Sequence, residues 1–565
     1  MKMQWEFIET TPLAAVKQLA NAIDVPPIIA RIMLNRGIDS MQDAKDFFNV
    51  ELTQLHDPLL MADMAIAVER LARAISRQER VLIYGDYDVD GTTGTALLTL
   101  ALRALGYHAP HYIPDRMREG YGLSLPGVEK AKAAGTDLIL AVDCGVTALK
   151  EIARARELGM DVIVCDHHQP GGQLPPANAL LNPKRNDCPY PFKELCGVGV
   201  AFKLMQALFR QLKHDENELY RHLDLVAIGS AADIVPLVDE NRIFVKHGLE
   251  RLNRTENVGL RALLQVCGLQ TTLLDSGQVL FVIAPRINAV GRMGDAGRAV
   301  NLLISENAAE ALAIAQILDA ENRERRSVDD ETYREAVEII ETQCDPVHDT
   351  AFVLHQDHWH SGVIGIVASR VVEKYYRPTV MISTTNGVGK GSVRSISGFD
   401  IHHALSQCAD ILKAFGGHKY AAGLTIDLAL IPTLRQRLQA VARQMLTDDM
   451  LVPKLRIDGE IRLSEIENRL VNFLKALAPY GPQNMRPAFV SRGVRVAGTP
   501  QIVGNNHLRF HVTQDNKRLD CIGFGLGDKL HLLNNGKSEI DLAYLIEENT
   551  YQGRTSLQLR VKDIR

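Results

Sequence analysis

The sequence predicts an α/β protein of several domains. A parallel-sheet domain comes first, a second α/β domain follows through a long helix, and an antiparallel barrel or sandwich closes the chain. Three observations carry this. Between about residues 80 and 240, short apolar runs alternate with helical stretches. Residues 305–343 contain no Gly or Pro and are dominated by Ala, Leu, Ile, Glu and Arg. Beyond Pro453 the pattern changes to short alternating runs separated by polar turns.

Residues 1–75 read as helical and mixed in charge. In the segment 76–240, "VLIYGD" (81–86) leads into the helical pattern "TGTALLTLALRALG" (93–106). "DLILAVDCGV" (137–146) leads into "LKEIARARELG" (149–159), and "DVIVCDHH" (161–168) follows. Such alternation predicts βαβ units and a mostly parallel sheet with helices on both faces. Sheets of this kind bind ligands beyond the carboxyl ends of their strands, so functional residues are expected where each run stops. The segment 241–344 is a helical connector with Arg286, Arg292 and Arg298 spaced six apart, ending in one long helix or two shorter ones. From 345 to 450 a strand–helix–strand pattern restarts, with glycine-rich loops expected at 387–398 and 416–423. From 453 to 565, "HLRFHVTQ", "RLDCIGFG", "IDLAYLIEEN" and "TSLQLRVKDI" read as antiparallel strands.

The 565 residues are 46% hydrophobic and 23% charged, enough for several packed cores. The net charge of −5 excludes a chain-wide basic field, so any nucleic-acid surface must be a local stripe. Eight cysteines are scattered without a C-x-x-C pair, which predicts a reducing compartment and no zinc knuckle. Glu6 and Glu9 stand where a secretory leader needs an apolar core, and no apolar run approaches the ~20 residues that span a bilayer. A soluble, cytoplasmic protein without membrane association is expected.

The chemistry concentrates in "DYDVDG". Asp86, Asp88 and Asp90 alternate at the end of an apolar run, and alternate residues can converge. Carboxylates that close repel one another, and a divalent cation removes the conflict. A solvated acidic turn is the competing reading. An EF-hand fails, because Leu97 stands where the bidentate Glu belongs. Two more run ends present Asp143 and the trio Asp166, His167 and His168. A fourth, "VAIGSAADIVPL", places Asp233 among small apolar residues, where a lone carboxylate is costly. Carboxylate oxygen with one or two imidazoles suits Mn²⁺ or Mg²⁺ better than structural Zn²⁺. Even with Asp166 set aside, five carboxylates and two histidines exceed the needs of one ion. Two ions about 3.5–4 Å apart, bridged by a carboxylate, are the usual arrangement for phosphate-ester hydrolysis.

In order and spacing, "DYDVDG", "AVDCGV", "CDHHQP" and "GSAADIVPL" resemble the four motifs of the DHH phosphoesterase superfamily. "IPDRMREGYGLS", "APRINAVGRMGDA", "GVGKGSVRSISGFDI" and "AFGGHKYAAGLTI" extend the resemblance to its bacterial single-strand-specific 5′-to-3′ DNA exonucleases. The resemblance implies a DHH catalytic domain, a DHHA1-type substrate domain and a C-terminal OB-fold. It implies one cation on Asp86, Asp88 and Asp143, and a second on Asp90, Asp143, His167 and Asp233. Some relatives carry a histidine where Asp86 stands. His168 would face the scissile phosphate, oriented with its neighbour by Asp166. Arg116, Ser392 and Arg394 would grip a 5′-phosphate. Residue chemistry adds Gly389 and Gly391 as points of anion approach, with Gly416, Gly417 and His418 as further contacts. Arg286, Arg292 and Arg298 would line a passage for one strand, and Arg509, Phe510, Lys517 and Phe524 are candidate barrel contacts.

The implied activity is processive 5′-to-3′ hydrolysis of single-stranded DNA to 5′-mononucleotides, serving recombination and repair with two Mn²⁺ or Mg²⁺ ions. The substrate is single-stranded DNA with a 5′ end. A single-strand-binding protein and a DNA helicase are compatible partners, and a monomer is expected. Two alternatives stay open: a phosphodiesterase of short oligonucleotides or cyclic dinucleotides, and a non-catalytic nucleic-acid scaffold on the same fold.

Overall fold

Four apolar runs become neighbouring strands whose ends are level. The computed structural model describes residues 3–8, 12–116, 119–533, 539–551 and 554–565. Val81–Gly85, Leu138–Val142, Asp161–Cys165 and Ala179–Leu181 lie side by side, and His111–Tyr112 completes a five-stranded sheet. All pairings are parallel. Gly85 faces Val142, Val142 faces Cys165, and Cys165 faces Leu181, so four last residues share one row. Ile83, Leu140 and Ile163 point into one apolar core, while Leu82, Ile139 and Val162 point into another. Burial on both faces explains why these strands read as continuous apolar runs.

The fourth motif departs from expectation. Asp233 follows a helix, Leu223–Ala232, and not a strand. Its apolar run is buried on all sides, and a run of that kind has no period that separates strand from buried helix.

The chain forms two units: Phe7–Asp319 with Ile457–Arg565, and Met1–Glu6 with Ala320–Arg456. In the first, a barrel accompanies the parallel sheet. Its strands are Phe489–Val503, His507–Gln514, Lys517–Gly523, Glu539–Tyr551 and Arg554–Ile564. Pairing of the first with Glu539–Tyr551 closes it. The N-terminal helices Leu13–Ile23 and Pro27–Leu34 share the barrel's core, whereas Met64–Arg77 packs on the parallel sheet. Phe510 is interior, which removes it from the candidate barrel contacts; Phe524 is exposed beneath the Arg560 guanidinium.

A buried arginine joins these parts. Arg242 is 3% exposed and lies over the Phe47 ring. It donates to the carbonyls of Leu477 at 2.9 Å and of Ala476 and Phe47 at 3.3 Å. Burial, together with Arg36, pushes its pKa down to about 9. Arg242→Met takes the guanidinium donors from the Ala476 and Phe47 carbonyls, leaves Leu477 only its bond from Asn484 Nδ2 at 2.9 Å, and is expected to cost about 3 kcal/mol. Calorimetry should register this as a lower Tm.

In the second unit, Phe352–Gln356 pairs parallel with Thr379–Thr385. Val388–Arg394, Ala421–Ile426 and Leu412–His418 then extend the sheet antiparallel. Most of the two glycine-rich "loops" is therefore strand, with 387 and 395–398 flanking the first strand and 419–420 turning the hairpin of the second. Val388–Arg394 is flanked on both sides, so its Gly389 and Gly391 amides serve the sheet and do not receive an anion. Glycine content read as loop because a strand without side chains to alternate has no period-two signal. A single helix, Ala308–Gln343, runs through the junction of the two sequence segments.

Candidate metal centre

The level strand ends bring the acids together. Asp86 continues the first strand, and Asp88 caps the helix Val89–Ala104 by accepting from the Gly91 amide at 3.0 Å. Asp90 sits in that helix's first turn. It accepts from the Gly197 and Val198 amides at 2.5 and 2.8 Å, at the N-terminus of the helix Gly197–Gln211. Asp143 takes a left-handed backbone, φ 62°, directly after the second strand. An aspartate tolerates this better than most residues. Gly197 is required beside it: a Cβ there would lie 2.6 Å from the Asp143 Cβ.

His167 Nε2 is 3.2 Å from Asp143 Oδ1, 3.5 Å from Asp233 Oδ2 and 3.7 Å from Asp90 Oδ2. Three groups have mutually close ligand atoms, within 4.8 Å: Asp86, Asp88 and Asp143; Asp90, His167 and Asp233; Asp143, His167 and His168. Asp166 lies behind them. Its carboxylate accepts from the amides of Val146, His167 and His168 and meets His168 Nδ1 at 2.7 Å.

Without a cation the cluster is electrostatically strained. Burial and then Asp88 push Asp86 up to about 8, and the same two causes push Asp90 to about 7. Burial and Asp90 raise Asp233 to about 8 and Asp143 well above the usual carboxylate range. Burial and the neighbouring His168 hold His167 at about 3, so its imidazole is neutral. Asp86 Oδ2, Asp143 Oδ1 and both ring nitrogens of His167 are buried without a hydrogen-bond partner among the described residues. Buried acceptors that lack donors, in a set of oxygen and neutral imidazole, are the donor set of a divalent cation.

The phosphate-gripping candidates fall in two places. Arg116 stacks 5.0 Å over the Tyr87 ring, and Arg292 is close enough to act on the same phenol. Arg286 does not join them: it is 12% exposed and pairs with Asp319 at 2.9 Å, which removes it from the candidate passage. In the other unit, the register aligns Gly416 with Gly423 and Ser392, and His418 with Ala421 and Arg394. Ser392, Arg394 and His418 thus share one sheet face, over a floor left open by Gly416. Gly417, paired with Ala422 just before the turn at Lys419 and Tyr420, takes φ 144° beside them. The helix Ile364–Tyr375 starts against the same residues: a Cβ at Gly365 would lie 2.8 Å from Ser392 Oγ and 3.2 Å from Arg394 Nη2.

Comparison with known proteins fits this arrangement. Residues 80–230 match the DHH family N-terminal domain, 348–444 the DHHA1 domain, and 457–563 the RecJ OB domain. The single-stranded-DNA-specific exonuclease RecJ of Bacillus subtilis is 39% identical over 565 residues, all of this chain and 71% of that protein. This chain belongs to the RecJ family. The RecJ of Thermus thermophilus superimposes in two crystal structures. Its Mn²⁺ complex aligns with a TM-score of 0.85 at 31% identity, over 100% of this chain and 79% of that one. Its Mg²⁺ complex aligns with a TM-score of 0.79 at 30% identity, over 100% and 78%.

Around the family motifs, sequence reasoning missed several residues that shape the site. The Tyr121 hydroxyl donates to the Asp143 carbonyl at 3.0 Å and lies 3.1–3.2 Å from both ring nitrogens of His168. Asn182, at the end of the Ala179–Leu181 strand, donates to the His168 carbonyl at 2.9 Å. The Gly197 and Val198 amides that hold Asp90 lie 107 and 108 positions away in sequence. Only the tyrosine, inside the quoted "REGYGLS", carried a local signal.

Proposed function

We infer that this chain is a metal-dependent exonuclease of single-stranded DNA that works processively from the 5′ end and releases 5′-mononucleotides in recombination and repair. The observation that carries it is the row of strand ends holding Asp86, Asp143, Asp166 and His167 beside Asp90 and Asp233, in a chain of the RecJ family. Two Mn²⁺ or Mg²⁺ ions would be held by Asp86, Asp88 and Asp143 and by Asp90, Asp143, His167 and Asp233. When bound, they supply Lewis-acid activation of water and neutralise the phosphate.

The side chains do the rest. Burial opposes a charge on His168, but the Asp166 carboxylate at 2.7 Å outweighs it and raises the imidazole to about 9. A cationic His168 then stabilises charge growing on the phosphate's non-bridging oxygens. Asp166, held at about 2 by that same pairing against burial, stays ionised and sets the ring's orientation. Asp166→Asn lets the imidazole pKa fall, so the alkaline limb of the pH–rate profile moves at least about one unit toward acid. A limb that stays put takes His168 out of the reaction. Arg116, Arg292, Ser392, Arg394 and His418, with Gly416 and Gly417, contribute the 5′-phosphate and backbone contacts, and the segment 453–565 adds strand binding. The enzyme acts as a monomer in the cytoplasm and meets a single-strand-binding protein and a helicase on the strand.

Digestion of single-stranded DNA labelled at either end tests this reading. Metal-dependent release of the 5′ label as mononucleotide, with blunt duplex spared, is the expected result. Cleavage of a dinucleotide alone moves the function to a short-substrate phosphodiesterase, and binding without cleavage moves it to a scaffold.

A further inference from the structure

The loop that follows the histidine pair carries groups that the metal centre does not use. Residues 169–172, Leu174 and residues 184–187 border a cleft of about 260 Å³ that begins at the residue after His168. Gly171 and Gly172 lie on its wall, and among the described residues no hydrogen bond engages their amides. Of the two cations in the lining, Arg185 is committed, to Asp63 at 2.5 Å and Asp187 at 2.6 Å. Lys184 forms one ion pair among the described residues, with Glu194 at 3.5 Å and 42% exposed. A pair at that distance and exposure is weak and leaves ammonium donors over.

The cleft is tied to the metal centre. The Lys184 amide donates to Asn182 Oδ1 at 2.8 Å, and Asn182 Nδ2 donates to the His168 carbonyl at 2.9 Å. Lys184 is close enough for its charge to act on both His167 and Asp233. An ammonium and two open glycine amides around one cleft select a phosphate oxyanion.

We propose that this cleft binds a phosphodiester of the DNA strand next to the scissile one, through Lys184 and the Gly171 and Gly172 amides. The proposal rests on the exonuclease reading, because the strand delivers that phosphate.

Steady-state kinetics of the Mn²⁺-loaded enzyme on a long oligothymidylate test it. In Lys184→Met, KM is expected to rise about tenfold with kcat changed by less than about twofold. The log–log salt dependence of kcat/KM should flatten by about 0.7, one phosphate contact on a single strand. Lys184→Arg restores KM, and Gly172→Pro, which removes one amide donor without changing charge, raises KM by a smaller factor. Thymidine 5′-monophosphate should inhibit wild type and Lys184→Met equally. If its inhibition weakens in the variant while KM for the strand holds, the cleft takes free product and the proposal fails. It fails also if KM and salt slope are unchanged in both variants, or if kcat and Mn²⁺ affinity fall with KM constant, since Lys184 would then only brace the His168 turn. A wild-type enzyme that cleaves no single strand overturns the exonuclease reading itself, which separates the two failures.

Discussion

Asp143→Asn is expected to lower kcat/KM on single-stranded DNA at least about a thousandfold, because it removes the carboxylate that both cations would share in the proposed centre. Asp143 is 1% exposed and belongs to two of the three close ligand groups. Asparagine keeps its shape and tolerates the left-handed backbone at φ 62°. The variant should therefore fold. Its metal-free form should be at least as stable as wild type, since it has one fewer acid in a buried cluster of like charges. Activity and Tm measured on the same preparation separate this from a folding defect, which would lower both. A variant that keeps a tenth of the activity would move the bridging role to another residue.

The second large effect is on stability and pH. In the metal-free fold, Asp86 and Asp233 are raised to about 8 and Asp90 to about 7, with burial as the first cause. In an unfolded chain, aspartates release their protons near pH 4. Between those values the folded state binds more protons, so stability falls as pH rises. The penalty is absent below about pH 4 and complete above about pH 8. Cations bind the deprotonated cluster and cancel the penalty. Mn²⁺ at about a hundred times its Kd should raise Tm by about 5 °C or more at pH 8, and by less at pH 6. Thermal melts with Mn²⁺ and with chelator at both pH values check the sign. A Tm gain that shrinks from pH 6 to pH 8 would contradict the linkage.

The part of the site made of strand ends was legible because the signal is local. "VLIYGD", "LILAVD" and "VIVCDHH" each place an acid at the end of an apolar run, and parallel register does the rest. Asp233 was legible as a buried acid but not as a helix terminus, since its neighbours are apolar all round. Gly389 and Gly391 were misread because glycine signals a turn in sequence, while here two flanking strands consume their amides. Arg286 illustrates the opposite limit: an exposed-looking basic repeat conceals its partner, Asp319, 33 positions away. The N-terminal helices that join the barrel core were illegible for the same reason, because Ile29 and Met33 meet residues beyond 460.

The claim underlying all of this is that one row of strand ends and its neighbours, Asp90 and Asp233, form a two-cation centre. Calorimetric titration of the metal-free protein with Mn²⁺, repeated in buffers of different ionisation enthalpy, measures it. Two ions per chain, net proton release at neutral pH, and loss of at least one ion in Asp143→Asn are the expected results. The absence of saturable binding, or binding that Asp143→Asn leaves unchanged, would contradict the account.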